Sequence, residues 1–505
     1  MTHALPTRKH TTLPPPLPPL PPPPADWSPE SWASRLAAHQ VVYTDRAAVE
    51  RAVARLREFP PLVTSGEIER LRALIASAQR GERFLLQGGD CAERIADCRP
   101  EPIARKLKIL LQMSLVLAHA SGAPVVRVGR FAGQYAKPRS SPLEVRQHPG
   151  GGPPLTLPSY YGDLVNREEF TFEARRPDPM RMVEGYTHAA ITLNFIRALI
   201  DAGFADLHHP ENWDLSFLRQ AGLPPSIADE YHAITEGMLS RLRDLESARD
   251  GRAEDLSSPE FFTSHEALNL LYESAQTRRV PRRDGFYNLT THLPWLGDRT
   301  RALDGAHVEY LRGIANPVGV KIGPACDPEE AVALVERLNP SDAPGKIILI
   351  TRLGAAAVER ALPPLIEALR RAGRDESVLW VCDPMHGNTV SLNENGAIPG
   401  GGAGRKTRAF ADIQRELETA WEVHRACGTR LGGVHLELTG DDVTECLGGA
   451  SGVTPADLAR RYESPCDPRL NYEQSLELAL TLARRMQRDR AKSARPPSSR
   501  TPGAR

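Results

Sequence analysis

The amino-acid sequence predicts an α/β fold, a (β/α)8 TIM barrel with an N-terminal extension and extra helices inserted on the barrel. Two observations lead to this prediction. Short apolar runs alternate with segments of helical spacing eight times along the chain, and several of these runs are apolar at every position. Strands covered by helices on both faces read as continuous apolar runs, whereas half-exposed strands alternate. Eight strand–helix repeats are typical of a closed parallel barrel, whose chemistry lies at the C-terminal ends of the strands.

The eight predicted strands differ in how clearly the sequence marks them. In chain order they are Arg83–Gly89, Pro124–Phe131, Phe204–His208, Phe286–His292, Val318–Gly323, Lys346–Arg352, Ser377–Asp383 and Gly433–Leu438. The third and fourth have the weakest pattern. Helical spacing between strands is clear at positions such as Leu362, Leu365 and Leu369, which fall on one face of a helix.

Proline and glycine mark the boundaries of the predicted parts of the chain. These parts are a disordered Pro-rich leader (1–30), an N-terminal helical extension (31–80), the catalytic barrel (81–487) with inserted helices (about 211–262) and a flexible Gly-rich loop (395–404), and a disordered basic tail (488–505). A polyproline stretch has no N–H groups to donate, so the leader is interpreted as a solvated spacer or, alternatively, as a ligand for an SH3-type domain. The inserted helices fit either an oligomer interface or an effector-binding platform.

Composition excludes several classes of function. The chain has 505 residues, of which 41% are hydrophobic, and its 63 basic residues balance its 63 acidic ones. A protein without net charge has no overall field that would attract nucleic acid or an anionic membrane. The sequence has no apolar run of transmembrane length, no signal-peptide pattern, and no disulfide or zinc-ribbon spacing among its seven cysteines. We therefore expect a soluble, cytoplasmic protein.

Four residues near predicted strand ends are candidate metal ligands. They are Cys91, His386, Glu437 and Asp467. A thiolate, an imidazole and two carboxylates suit a divalent transition ion such as Mn²⁺, Fe²⁺, Co²⁺ or Zn²⁺ better than Mg²⁺ or Ca²⁺. Each residue also has a structural interpretation: a buried small hydrophobe, a satisfied core histidine, a strand-end salt bridge and a turn former before proline.

Basic residues also gather at the predicted strand ends. They are Arg130, Lys137 and Arg139 with Ser140 beside them, then Arg299, Lys321 and Arg352. Lys321 lies inside an apolar strand, and because an unpaired buried lysine is costly, it must face a carboxylate, a phosphate or water. Any single basic residue of this set could instead form a surface salt bridge. Several at one rim predict a substrate with more than one phosphate or carboxylate group.

These residues lie in blocks that resemble a known family. The blocks are LLQGGDCAE (85–93), VGRFAGQYAKPRS (128–140), THLPWLGDRTR (291–301), ANPVGVKIGP (315–324), ITRLG (350–354), WVCDPMHGNT (380–389), GGVHLELTGDDVTECLGG (432–449) and CDPRLN (466–471). They resemble the class II, plant- and actinobacterial-type, 3-deoxy-D-arabino-heptulosonate 7-phosphate (DAHP) synthases.

The resemblance implies a barrel enzyme that condenses phosphoenolpyruvate with erythrose 4-phosphate, the first step of the shikimate pathway. It implies that Cys91, His386, Glu437 and Asp467 bind one divalent metal, with Mn²⁺ expected first. Phosphoenolpyruvate would be held by Arg130, Asp298, Arg299, Lys321 and Arg352, and the aldose phosphate by Lys137, Arg139 and Ser140. Lys137, Cys91 and His386 would act in catalysis. The resemblance also implies a homo-oligomer, aromatic amino-acid effectors and a chorismate mutase partner.

The sequence departs from the family pattern at a few positions. Asp298 stands where the family usually has glutamate, Val381 replaces a usual glutamine, and the Pro-rich leader differs from the usual extension. These departures leave two alternatives. One is a pathway-specific copy for aromatic-derived secondary metabolites, including the amino variant of the same condensation, and the other is a non-catalytic regulatory barrel.

Overall fold

The computed structural model describes residues 17–139, 141–146, 153–202, 260–392 and 404–493, with isolated positions at 14, 229, 233 and 236. Its strands are β1 (Phe84–Gly89), β2 (Val125–Arg130), β3 (Leu143–Arg146), β4 (Leu155–Pro158), β5 (Phe261–Glu266), β6 (Thr277–Arg279), β7 (Phe286–Asn288), β8 (Leu293–Leu296), β9 (Val318–Ile322), β10 (Ile347–Thr351), β11 (Val378–Cys382), β12 (Val390–Leu392), β13 (Arg405–Thr407) and β14 (Gly433–Glu437). Its α-helices are α1 (Arg46–Glu58), α2 (Ser65–Gln79), α3 (Pro100–Ser121), α4 (Phe172–Arg175), α5 (Met180–Asp201), α6 (Leu270–Ala275), α7 (Ala306–Leu311), α8 (Pro328–Leu338), α9 (Val358–Arg371), α10 (Phe410–Ala426) and α11 (Tyr472–Ser493).

Eight parallel strands close into a barrel, in the order β1-β14-β11-β10-β9-β8-β5-β2. This confirms the predicted fold class. The register aligns the C-terminal ends of neighbouring strands, so that Gly89 of β1 lies opposite Arg130 of β2 on one side and Glu437 of β14 on the other. Residues that end these strands are therefore brought together at one end of the barrel.

Two positions of the barrel are filled by strands other than the predicted ones. The third barrel strand is β5, whereas Phe204–His208 lies outside the described residues. The fourth is β8, because the predicted run Phe286–His292 begins with β7, which pairs antiparallel with β6 in a separate two-stranded sheet. β5 contains a threonine, a serine, a histidine and a glutamate, so it lacks the apolar run that identified the other strands.

Helix α2 closes the N-terminal end of the barrel. Its residues Leu71, Leu74 and Ile75 share a buried apolar cluster with side chains from β1, β2, β5, β8, β10 and β11. A capping box between Thr64 and Glu67 begins the helix, with Thr64 accepting from the Glu67 N–H and Glu67 accepting from the Thr64 N–H. With one end filled by apolar side chains, the polar residues of the barrel lie at the other end.

Part of the predicted disordered leader is docked on the protein. Trp27 is 7% exposed, donates to the Glu309 carbonyl at 2.9 Å and contacts Phe286 edge-on, with 5.3 Å between ring centroids. Its ring occupies the space that a side chain on Gly313 would need. Pro14, Leu17, Leu20 and Pro23 are half-buried and the described prolines between them are exposed. A period of three is that of a polyproline II helix lying with one face on a surface.

The remaining boundary predictions have mixed outcomes. Helix α11 continues to Ser493, past residue 488 where the sequence predicted a disordered tail. Its last turns are held by polar contacts, because Asp489 accepts from Trp421 Nε1 at 2.7 Å and Arg490 Nη1 donates to the Ala120 carbonyl of α3 at 3.1 Å. Of the helices predicted at about 211–262, the structure describes only residues 229, 233 and 236, which are helical, before residue 260 and β5. Nearly all of the Gly-rich loop 395–404 lies outside the described residues. Among the helices in the described ranges, none has the length and apolarity to cross a bilayer.

We expect Trp27→Ala to lower the free energy of unfolding by about 3 kcal/mol, because it removes a buried indole and leaves a cavity on the barrel. Urea denaturation followed by circular dichroism measures the change. Leu36→Ala is the matched control, since Leu36 belongs to the same N-terminal segment and is 86% exposed. Equal stability of the Trp27 variant and the parent protein would show that the leader is not docked.

Candidate active site

Three of the predicted metal ligands meet at the C-terminal end of the barrel. Cys91 follows β1, Glu437 ends β14, and Asp467 lies in the loop before α11. One ligand atom from each residue lies within 4.8 Å of the other two. The loop of Asp467 is fastened to Cys91, whose Sγ accepts a hydrogen bond from the Asp467 N–H at 3.2 Å. One sulfur and two carboxylates at this spacing fit a divalent transition ion.

The fourth predicted ligand, His386, reaches this group through Glu437. Its Nε2 lies 3.0 Å from Glu437 Oε1, and its Nδ1 lies 2.7 Å from Asp383 Oδ2. Asp383 Oδ1 also accepts the backbone N–H groups of Met385 and His386, which fixes the turn after β11. Asp383 therefore orients the imidazole so that Nε2 faces the other ligands, as carboxylates beside metal-binding histidines commonly do.

The fully buried carboxylate of Glu437 is the centre of the site. Its Oε1 accepts from Arg130 Nη2 at 3.0 Å and from Lys137 Nζ at 3.2 Å, and its Oε2 lies 2.8 Å from Arg408 Nη1. Burial opposes ionisation of this carboxyl, but His386 and the three cations hold its pKa well below its usual value. Glu437 is thus ionised at neutral pH.

Lys137 bridges two of the candidate ligands. Its Nζ lies 3.4 Å from Asp467 Oδ2 as well as beside Glu437, and Lys406 Nζ lies 2.8 Å from Asp467 Oδ1. Burial disfavours the charged amine, but the nearby Cys91, Glu437 and Asp467 raise the pKa of Lys137 well above its usual value. Burial, Cys466 and Glu437 raise the pKa of the Cys91 thiol, a shift that a bound cation would reverse.

A second group of charges lies beside the ligand group. Lys321 is paired with Asp383, so this buried lysine does face a carboxylate. Burial lowers the pKa of Lys321 to about 8, although Asp383 favours the charged form. The indole of Trp295 lies near both Lys321 and Arg130, with its ring centroid 5.9 Å from Lys321 Nζ and 5.1 Å from the Arg130 guanidinium carbon. An aromatic ring at this distance from two cations favours their charged forms.

Arg352 connects this second group to the metal-ligand candidates. Its Nη1 lies 2.8 Å from Asp298 Oδ2, and its Nη2 donates to the His386 carbonyl at 3.0 Å. Asp298 Oδ1 in turn accepts from Arg301 Nε and from the Gly323 N–H, each at 3.0 Å. Asp298 therefore holds the guanidinium of Arg352 between the loops after β8, β9 and β11.

The other predicted site residues are less closely connected. Arg139 Nη1 donates to Cys466 Sγ at 3.3 Å, beside Asp467. Arg299 is exposed, and among the described residues it forms no hydrogen bond or ion pair with the predicted site residues. Ser140 lies outside the described residues.

Several residues of the site were missed by the sequence analysis. Lys406 and Arg408 lie on or just after β13, which does not belong to the barrel. Glu266 ends β5, and its Oε1 is buried without a hydrogen-bond partner in the described protein. Burial raises the pKa of Glu266, while Lys137, Lys321 and His386 oppose the shift. One signal for Glu266 was present in the sequence, namely Ser-His-Glu just before an apolar helix. It was overlooked because the third strand was predicted at a different segment.

Comparison with known proteins identifies the family of this chain. The Class-II DAHP synthetase family matches residues 27–483. A phospho-2-dehydro-3-deoxyheptonate aldolase from Neurospora crassa is 43% identical over 478 residues, covering 92% of this chain and 95% of the relative. Proteins of the same name from Streptomyces coelicolor (44% identical, covering 90% and 96%) and Mycolicibacterium smegmatis (43% identical, covering 93% and 96%) are similarly close. The chain belongs to the Class-II DAHP synthetase family, whose members are enzymes of aldol-type condensation.

Proposed function

We propose that the protein condenses phosphoenolpyruvate with erythrose 4-phosphate to give DAHP and inorganic phosphate. The observation that carries this proposal is the meeting of a sulfur–carboxylate ligand group with several buried cations at one end of the barrel. The ligand group suits an ion that polarises an aldehyde, and the cations suit two phosphorylated substrates.

The donor set supports one divalent transition ion, with Mn²⁺ as the first candidate and Co²⁺, Fe²⁺ or Zn²⁺ as alternatives. Cys91, Glu437 and Asp467 would hold it, with His386 supplying a nitrogen from the side of Glu437. When bound, such an ion supplies Lewis acidity toward the aldehyde oxygen. Asp383 keeps the histidine ring in place, and Arg130 and Arg408 keep Glu437 ionised.

Phosphoenolpyruvate fits the cations on the Trp295 side of the site. Arg130, Lys321 and Arg352 would neutralise its phosphate and carboxylate, and Trp295 would limit where the enol lies. Each cation is already held by a carboxylate on a different strand end, so little motion is needed to bind the substrate. Holding two anions that otherwise repel each other is a large part of the catalytic task.

Erythrose 4-phosphate fits the opposite side, where Lys137, Arg139 and Lys406 surround Asp467 and Cys466. There the aldehyde would lie beside Lys137, and the phosphate would extend toward Arg139 and the exposed amine of Lys406. From the resemblance, Ser140 remains a predicted contact of this substrate, and Arg299 remains a predicted contact of phosphoenolpyruvate.

The reaction needs one proton donor and one proton acceptor. Carbon 3 of phosphoenolpyruvate forms a bond to the aldehyde carbon, water adds at carbon 2, and the resulting hemiketal phosphate releases inorganic phosphate. Lys137 can give a proton to the new hydroxyl oxygen, since its ammonium lies among the candidate ligands. Glu266 can accept the proton of the attacking water, because its free oxygen lies in the site and its raised pKa favours protonation.

We further propose, from the family resemblance, a cytoplasmic homo-oligomer that responds to aromatic amino acids and binds a chorismate mutase. Size-exclusion chromatography with light scattering, and assays with each amino acid and with the mutase, test these points.

We expect His386→Ala to reduce metal-dependent phosphate release about a hundredfold or more, because the variant loses the imidazole that faces Glu437. Phosphate release with added Mn²⁺ and with EDTA measures the effect, and circular dichroism checks the fold. His188→Ala is the matched control, since the His188 ring contacts the backbone of its own helix, α5. Full metal-dependent activity in the His386 variant would refute the proposed site.

We expect Asp298→Asn to raise the KM for phosphoenolpyruvate about tenfold, with a smaller change in kcat. The neutral amide weakens the charged hydrogen bonds that hold Arg352 and Arg301. Steady-state kinetics at saturating erythrose 4-phosphate measure the changes in KM and in kcat separately. Asp298→Glu keeps the charge and should stay within about threefold of the parent protein. A fall in kcat alone would contradict a role in holding phosphoenolpyruvate.

Steady-state assays with erythrose 4-phosphate and with its imino counterpart identify the second substrate. We expect turnover with erythrose 4-phosphate, because an ion in the ligand group would face an aldehyde oxygen. Turnover of the imino compound alone would overturn this proposal in favour of the amino variant of the condensation. No turnover of either, with metal bound, would favour a non-catalytic barrel.

A further inference from the structure

A buried network of charges lies behind the candidate metal ligands. Arg469 donates through Nη1 to Asp90 Oδ1 at 2.7 Å, through Nη2 to Glu445 Oε1 at 2.9 Å, and through Nε to Glu445 Oε2 at 3.1 Å. Lys106 forms an ion pair with the other oxygen of Asp90. All four side chains are nearly inaccessible to solvent. Two positive and two negative charges balance, so the network is a neutral unit.

Glu445 also holds the backbone of the loop that carries Asp467. Its Oε1 accepts the N–H groups of Glu463 and Ser464 at 3.1 and 2.8 Å, and its Oε2 accepts the N–H of Arg469 at 2.7 Å. The loop is thus fastened before and after Asp467 by one carboxylate. A buried carboxylate with this many donors has little freedom to move.

Arg469 joins this loop to the end of β1. Asp90, its second partner, immediately precedes Cys91, and the Asp90 carbonyl accepts from Arg130 Nε at 2.9 Å. The guanidinium of Arg469 therefore connects Asp90, which adjoins Cys91, to Glu445, which holds the loop of Asp467. None of the four charged groups of the network belongs to the ligand group or to the proposed substrate contacts.

We propose that Arg469 is a positioning residue that sets the separation of Cys91 and Asp467, and thereby the affinity of the site for a divalent cation. This inference rests on the proposed metal site. A planar guanidinium bonds two carboxylates at fixed angles, whereas a lysine ammonium is a point charge on a flexible stem. Arg469 can therefore transmit the position of Glu445 to Asp90, which lysine cannot do.

The test compares Mn²⁺ binding to the metal-free parent protein and to Arg469→Lys, by titration with Mn²⁺ alone and detection of free Mn²⁺ by electron paramagnetic resonance. We expect the Kd to rise about 10- to 100-fold, the usual effect of removing a partner behind metal ligands. Excess Mn²⁺ should restore most of the phosphate-release rate, because weak binding is overcome by concentration and a distorted active site is not.

Arg312→Lys is the matched control. Arg312 forms the same two-pronged contact, through Nε and Nη2, with both oxygens of Glu309, and its side chain is similarly inaccessible. Arg312 follows α7 on the outside of the barrel, so its replacement should leave the Mn²⁺ Kd within about twofold of the parent.

Two further variants separate the possible outcomes. Glu445→Gln keeps the size of the side chain and should also weaken Mn²⁺ binding, by about tenfold, so it decides the question if Arg469→Lys fails to fold. Unchanged Kd values in the folded variants would overturn the inference. Cys91→Ala tests the metal site itself: if it binds Mn²⁺ as the parent does, the ligand assignment is wrong, whatever the Arg469 variant shows.

Discussion

The carboxylate of Glu437 is the interaction on which the rest of the site depends. It is fully buried, and it contacts Arg130, Lys137, His386 and Arg408, which come from three different parts of the chain. Burying one charge without partners would cost several kcal/mol, and here each partner repays part of that cost. The three cations also depend on Glu437. Without its negative charge, the buried Arg130, Lys137 and Arg408 would repel one another with little solvent to screen them. The carboxylate therefore fixes where the cations lie before any substrate binds.

Barrel geometry makes this meeting possible. Gly89, Arg130 and Glu437 are at the same level of three adjacent strands, so residues far apart in sequence end side by side. Helix α2 fills the N-terminal end with apolar side chains and leaves the C-terminal end for polar ones. The ligand group, Trp295 with the neighbouring Arg130 and Lys321, and the network around Arg469 all lie at this end of the barrel.

The sequence predicted the parts of this arrangement that depend on apolar runs and strand ends. β10 and β11 are apolar apart from Thr351, and β9 is apolar apart from Lys321, so both the positions of these strands and the importance of Lys321 could be inferred. β5 could not, because four of its six residues are polar and find partners only in the folded barrel, such as Ser264 with Gln87. For the same reason Glu266 was missed. Arg408 was missed because it follows a small hairpin outside the barrel, and only the folded chain brings it to Glu437. Trp27 was assigned to a disordered leader because nothing local shows that its partner is the surface beside Gly313.

The shorter acid at position 298 still connects several parts of the site. Asp298 reaches Arg352, Arg301 and the Gly323 N–H at ordinary hydrogen-bond distances, so the missing methylene has not broken the connection. The reason lies in Gly323, where a Cβ would be only 2.5 Å from Asp298 Oδ2. Because residue 323 is glycine, the loop after β9 can approach the loop after β8 closely enough for aspartate to span the gap. The acid at position 298 therefore fixes where the guanidinium of Arg352 lies, with one nitrogen on Asp298 and the other on the His386 carbonyl.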